Sequence, residues 1–178
     1  MFEKKVLIVV DYQVDFVAGA LKAEGAAALE TPLCQRIERA YDDGDKVIFL
    51  KDTHPKSYLQ TLEGHYLPVE HCIVDTKGRE LYGKVKALEN KHGSSTVEKL
   101  QFGCLDIHRL LHNEQIQPIE FVLAGLVTEM CVISTALILK AQFRETPVKI
   151  EAALCAGATQ EGQEAALKVA RACQVEVI

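Results

Sequence analysis

The chain has 178 residues, 48% of them hydrophobic, enough for one domain spanning 1–178 with a single sizeable core. Its net charge is −5 with acids and bases interspersed, so no basic run points to nucleic acid and no acidic tail to a solvating arm. The first apolar run, residues 6–10, is too short for a signal segment or a membrane span, which places the protein in the cytoplasm. Six cysteines (Cys34, Cys72, Cys104, Cys131, Cys155 and Cys173) form no CxxC pair, and in that compartment they read as small buried apolar residues rather than disulfides.

In chain order, residues 5–10 are apolar on both faces and predict a fully buried strand. Thr31-Pro32 predicts a helix start, with Thr31 as N-cap and Pro32 at the first helical position. Leu33, Ile37, Ala40 and Tyr41 form the inward stripe of that helix, and Gly44 ends it. Residues 46–50 predict a second strand. The irregular stretch 53–95 is too long for a plain connection, so it should carry function or short elements of its own. A short third strand follows at 96–98, then a helix at 105–112. The remaining pattern is a strand at 120–125, a long apolar helix at 129–144, a strand at 148–154, a helix at 159–173 and a last strand at 175–178. Strands alternating with helices predict an α/β fold with a mostly parallel sheet covered on both faces.

Ligands of open α/β sheets sit beyond the carboxyl ends of the strands. Asp11 follows the first strand, Asp52 and His54 the second, Lys99 the third and Cys131 the fourth. Thr128 is placed to cap the helix after the fourth strand, which puts Cys131 in its first turn. Unpaired N–H groups and the helix dipole there favour a thiolate and can hold an oxyanion. Asp11 ends an apolar strand, where a carboxylate is costly unless paired, and Lys99 is a partner for both Asp11 and Cys131. Asp52 and His54 are two apart on extended chain, so their side chains point the same way. With His71 they make a set of divalent-metal ligands, and Glu63 or His65 is a candidate fourth.

Three segments carry a family resemblance over nearly the whole chain. Asp11-Tyr12-Gln13-Val14-Asp15-Phe16, the stretch from Val97 through Lys99 to Leu105, and Gly125-Leu126-Val127-Thr128-Glu129-Met130-Cys131-Val132 resemble the isochorismatase-like cysteine hydrolases. Within them the chain is similar to the nicotinamidase/pyrazinamidase group. Cys104 and Leu105 stand where the family pattern has a small residue and an aromatic. The resemblance implies a Rossmann-like three-layer sandwich with a six-stranded sheet and an Asp11–Lys99–Cys131 triad. It implies a cis peptide between Leu126 and Val127 and an oxyanion hole from the backbone N–H groups of Val127 and Cys131. It further implies substrate contact at Phe16 and Gln13, a zinc-type divalent cation on Asp52, His54 and His71, and a homo-oligomer. The expected reaction is hydrolysis of a small amide, nicotinamide foremost. The rival readings are another hydrolase of the superfamily, acting on a carbamoyl amide or an enol ether, and a non-catalytic binding protein on the same fold.

Overall fold

Strand β1 (Phe2–Val10) is central because Val6 to Val10 are all buried and have covered faces on both sides. It pairs in parallel with β2 (Lys46–Asp52) on one flank and β4 (Ile116–Leu126) on the other. In this computed structural model, which describes residues 1–93 and 95–178, the strands run in the order β3-β2-β1-β4-β5-β6. Here β3 is Ser95–Lys99, β5 is Val148–Ala156 and β6 is Glu176–Val177. The expected mostly parallel sheet is parallel at every pairing among the described residues.

Alternate strand residues feed two cores, as a period of two requires. Leu7, Val9, Phe49, Val122 and Ala124 pack on one face, against Leu33, Ile37 and Ala40 of α2 (Glu30–Asp42) and Val85 and Leu88 of α4 (Gly83–His92). Val6, Ile8, Val10, Ile48, Leu50 and Leu123 pack on the other. They meet Ile107 and Leu111 of α5 (Ile107–Asn113), Ala136 and Leu139 of α6 (Ile133–Gln142), and Ala170 of α7 (Gln160–Ala172). The remaining helices are one-turn pieces at the carboxyl edge, α1 (Val14–Val17) and α3 (Leu62–Tyr66). No helix among the described residues is long and apolar enough to cross a membrane.

Several boundaries differ from the expectation. Helix α2 grows out of a 3-10 turn, Ala26–Leu29, so Leu29 holds the N-cap place and Thr31 lies inside the first turn. Pro32 is then the third helical residue, where its missing N–H leaves no bond unmade. The stretch 53–95 does hold elements, α3 and α4 among them. Helix α4 is hidden in the sequence because only Val85 and Leu88 of its ten residues are buried. The long helix expected at 129–144 opens as a wider π-turn, Thr128–Val132, before α6 begins. The helix start at Thr159 agrees with the expectation: its hydroxyl accepts the Gly162 N–H at 3.0 Å.

Strand β1 is followed along the chain by neighbours on one side and, after β3, by β4 on its other side. The direction of winding reverses between β1 and β4. That switch point is the crevice where an α/β sheet binds its ligand.

Candidate active site

Asp11 and Cys131 flank the switch point, one after β1 and the other after β4. Asp11 takes a left-handed backbone conformation (φ 47°), which an Asp tolerates better than most residues. Its N–H donates to Leu50 O at 3.1 Å, so the turn stays tied to β2. On the other side Gly125 has φ 123°, and a Cβ there would come within 2.1 Å of the Val10 carbonyl oxygen. Glycine lets the end of β4 press against the peptide that leads into Asp11. The peptide between Leu126 and Val127 is cis, as the resemblance implies.

Lys99 closes the triad from the end of β3. Its ammonium lies 2.7 Å from Asp11 Oδ2, 3.2 Å from Asp52 Oδ1 and 3.4 Å from Cys131 Sγ. Asp11, Lys99 and Cys131 are 0%, 5% and 4% exposed, so these interactions act with little screening by water. Burial pushes the Asp11 carboxyl up to about 6 even though Lys99 draws it down. Lys99 is held well above its ordinary value: burial works against its charge, but Asp11, Cys131 and Asp52 outweigh it. Burial, joined by Asp11, pushes the Cys131 thiol well above its ordinary value.

The thiol is a correction to the sequence reading. Thr128 does not cap a helix; it is the first residue of the π-turn, and its hydroxyl makes no hydrogen bond among the described residues. Val127 holds the N-cap place and its carbonyl accepts the N–H groups of Met130 and Val132 at 3.1 and 3.3 Å. A fully desolvated sulfur beside a carboxylate keeps its proton at rest, whatever a helix terminus adds. The Asp11 carboxylate is its charged neighbour.

Next to the triad is a second polar cluster. Asp52, His54, Glu63 and His71 offer ligand atoms that all lie within 4.8 Å of one another. His54 Nε2 is 2.9 Å from Asp52 Oδ2 and 3.6 Å from Glu63 Oε1; His71 Nε2 is 3.4 and 3.9 Å from the same two atoms. Ligands ~2.1 Å from a tetrahedral zinc stand ~3.4 Å apart, so the spacing fits. His71 Nδ1 donates to Val69 O at 2.8 Å, which leaves Nε2 with a lone pair facing the cluster. Both Glu63 oxygens are buried and make no hydrogen bond among the described residues, an orphaned carboxylate that a cation would satisfy. Burial raises the Glu63 carboxyl. Asp52 is drawn well below the usual range: burial opposes its charge, but His54, His71 and Lys99 prevail.

Glu63 is thus the fourth member of the cluster, and His65 lies outside it: it is exposed and stacks edge-on against Tyr66. Phe16 is buried and packs edge-on against His71, ring centres 5.6 Å apart. Gln13 lies under the site with its amide fully engaged by backbone. Its Oε1 accepts the Asp52 N–H at 2.8 Å, and its Nε2 donates to Asp52 O and Arg79 O, each at 2.8 Å. These hydrogen bonds hold the strand end that carries Asp52. Asp15 plays a matching part, accepting the N–H of Cys72, the residue after His71, at 2.8 Å. A groove of about 450 Å³ reaches Glu63 of the second cluster, lined also by Leu62, Tyr66, Leu67, Gln101, Phe102 and Met130. Cys104 is buried in the core and Leu105 is exposed.

The sequence profile of the isochorismatase domain matches residues 5–178. The crystal structure of a nicotinamidase from Bacillus subtilis superposes with a TM-score of 0.85 at 31% identity, covering 98% of each chain. A nicotinamidase of Schizosaccharomyces pombe is 28% identical over 97% of this chain and 91% of its own length. A pyrazinamidase of Pyrococcus horikoshii, solved in complex with zinc, shares the fold at 22% identity, with a TM-score of 0.80 over 98% of each chain.

Proposed function

The chain belongs to the isochorismatase family as a nicotinamidase-like member, and from that we propose that it hydrolyses nicotinamide to nicotinate and ammonia through a thioester on Cys131. The observation that carries this reading is the buried Lys99 ammonium, in contact at once with the Asp11 carboxylate and the Cys131 sulfur.

The neutral thiol gives its proton to ionised Asp11 as the substrate arrives. Lys99 then faces a thiolate in place of a thiol, and its charge offsets the cost of that buried anion. The sulfur attacks the carboxamide carbon, and the backbone N–H groups of Val127 and Cys131 hold the oxyanion. Asp11 returns the proton to the departing ammonia. Water then attacks the thioester with Asp11 as general base, releasing the carboxylate and regenerating the thiol. Phe16 and the apolar wall of the groove suit a flat ring more than a charged chain.

Asp52, His54, Glu63 and His71 are the residues that would hold a divalent cation, with zinc favoured by the two imidazoles and two carboxylates. Bound there, a cation would supply Lewis acidity toward the ring nitrogen of the substrate. Gln13 and Asp15 keep the strand ends that carry Asp52 and His71 in place. The same reading gives a single-domain cytoplasmic homo-oligomer with a small amide as its partner. The exposed Leu62 and Tyr66 beside the groove offer a second copy an apolar patch to cover.

The test is ammonia release from nicotinamide, pyrazinamide and a carbamoyl compound, by wild type and Cys131→Ala. The expected result is release from the first two and none from the variant. Turnover by Cys131→Ala at the wild-type rate would contradict the proposal.

A further inference from the structure

We propose that Glu129 is a positioning residue for the nucleophile: its carboxylate fastens the turn that carries Cys131 to the start of helix α7. The inference rests on Cys131 being the attacking atom.

Glu129 lies two residues before Cys131 in the π-turn Thr128–Val132. Its Oε1 accepts the N–H groups of Ala158 at 2.9 Å and Thr159 at 3.2 Å, the two residues that lead into α7. The sequence there makes room for it. A Cβ on Gly157 would come within 2.7 Å of Glu129 Oε2, and one on Gly162 within 2.4 Å of Oε1. A carboxylate in this place receives charge-assisted hydrogen bonds and faces the positive end of a thirteen-residue helix. The start of α7 is in turn anchored to β5: the Gly157 N–H donates to Gln163 Oε1, and Gln163 Nε2 donates to Cys155 O, both at 3.2 Å. Glu129 thus refers the nucleophile turn to the sheet itself.

The turn needs such a reference. A π-turn is a wide, rare geometry with fewer well-placed backbone bonds than an α-helical turn. The other polar side chain at its head, Thr128, makes no hydrogen bond among the described residues. The sulfur must stay within reach of both Asp11 and Lys99, and a shift of ~1 Å in such a site costs on the order of 100-fold in rate.

The experiment compares wild type with Glu129→Ala, Glu129→Gln and Gly157→Ala. It measures kcat and KM for nicotinamide, the alkylation rate of Cys131 by iodoacetamide, and thermal stability. Glu129→Ala is expected to lower kcat ~10- to 100-fold with KM within ~twofold, and to change the alkylation rate by more than ~threefold. Glu129→Gln keeps an acceptor for both N–H groups and should retain kcat within ~threefold. Gly157→Ala leaves the acid in the sequence but sets a Cβ against its Oε2, the Thr159 carbonyl and Gln163 Cβ, which disturbs the same seat, and should reproduce the loss in kcat. Lower stability with wild-type kcat and alkylation in Glu129→Ala would overturn the proposal. If that variant does not fold, wild-type kcat in Gly157→Ala overturns it instead. Should wild type fail to hydrolyse nicotinamide, the functional reading falls, and the alkylation rates alone decide the part played by Glu129.

Discussion

Asp11 and Cys131 compete for one proton, and their surroundings decide which holds it. Burial raises both groups, but the Lys99 ammonium sits 2.7 Å from the Asp11 carboxylate and 3.4 Å from the sulfur, so the carboxylate is the better stabilised anion. With Asp11 titrating at about 6, it is an ionised base at neutral pH and a protonated, useless one below. Hydrolysis should therefore lose close to tenfold per pH unit below about 6 and stay level from there to neutrality; a rate unchanged between pH 7 and 5 would contradict this. A second variant separates the base from the thiol. In Asp11→Asn the negative neighbour is gone while Lys99 remains, so the thiolate becomes easier to form. Alkylation of Cys131 at neutral pH should speed up while amide hydrolysis falls ~10²- to 10⁴-fold. Amide hydrolysis kept at the wild-type rate in this variant would remove Asp11 from the role of base. The three residues could be brought to one edge from sequence, because each follows a different strand of a parallel sheet. The sequence misjudged the thiol's state. Helix termini are legible as chain positions, but desolvation by residues distant in sequence is not.

The segment 11–16 shows what a linear motif conceals. Asp11 works at the triad, while Gln13 and Asp15 act on backbone carried by other elements, the end of β2 at Asp52 and the loop at Cys72. Their letters are visible in the sequence, but what they hold becomes apparent only once β2 lies beside β1. Partners that orient metal ligands are typically worth 10- to 100-fold in affinity. Gln13→Leu and Asp15→Asn should each weaken zinc binding by about that much, read by competition with a chromophoric chelator. Wild-type affinity in both would show that the cluster holds its shape without them. Glu129 has the same character and was missed outright. Nothing in the run Val127-Thr128-Glu129-Met130 says that Gly157 and Gly162, some thirty residues on, clear a space for its carboxylate. Gly125 is the simplest case at this scale. Its φ of 123° and its closeness to the Val10 carbonyl leave no room for a Cβ. Gly125→Ala should lower unfolding stability by at least ~2 kcal/mol in urea titrations, and a smaller loss would mean that β4 can move away from β1.

Across the whole molecule, the sheet was legible because its central strands carry runs of buried apolar residues, and a parallel sheet needs both faces covered. Helix α4 was not, since a charged helix with two buried residues carries little periodicity. The carboxyl edge that gathers the site also gathers charge. Asp11, Asp52 and Glu63 lie buried or nearly so around one ammonium, that of Lys99, and the two Glu63 oxygens have no hydrogen bond among the described residues. Without a cation the fold therefore carries an excess of buried acid, which folding must offset elsewhere. A cation that binds only the assembled cluster removes that burden, because the four ligands come from β2, the loop after it, α3 and the segment at His71, and they converge only in the folded chain. At a free metal concentration about 100 times the dissociation constant, such binding stabilises by ~2.7 kcal/mol. For a chain of this length that corresponds to ~5–10 °C in the melting temperature. Adding zinc to chelator-stripped protein should raise the melting point by that amount, and Glu63→Gln, which keeps the shape of the side chain but loses its charge, should reduce the rise by more than half. Equal melting points with and without zinc would remove the cluster as a metal site. A full rise in Glu63→Gln would keep the site and reduce its ligands to Asp52, His54 and His71.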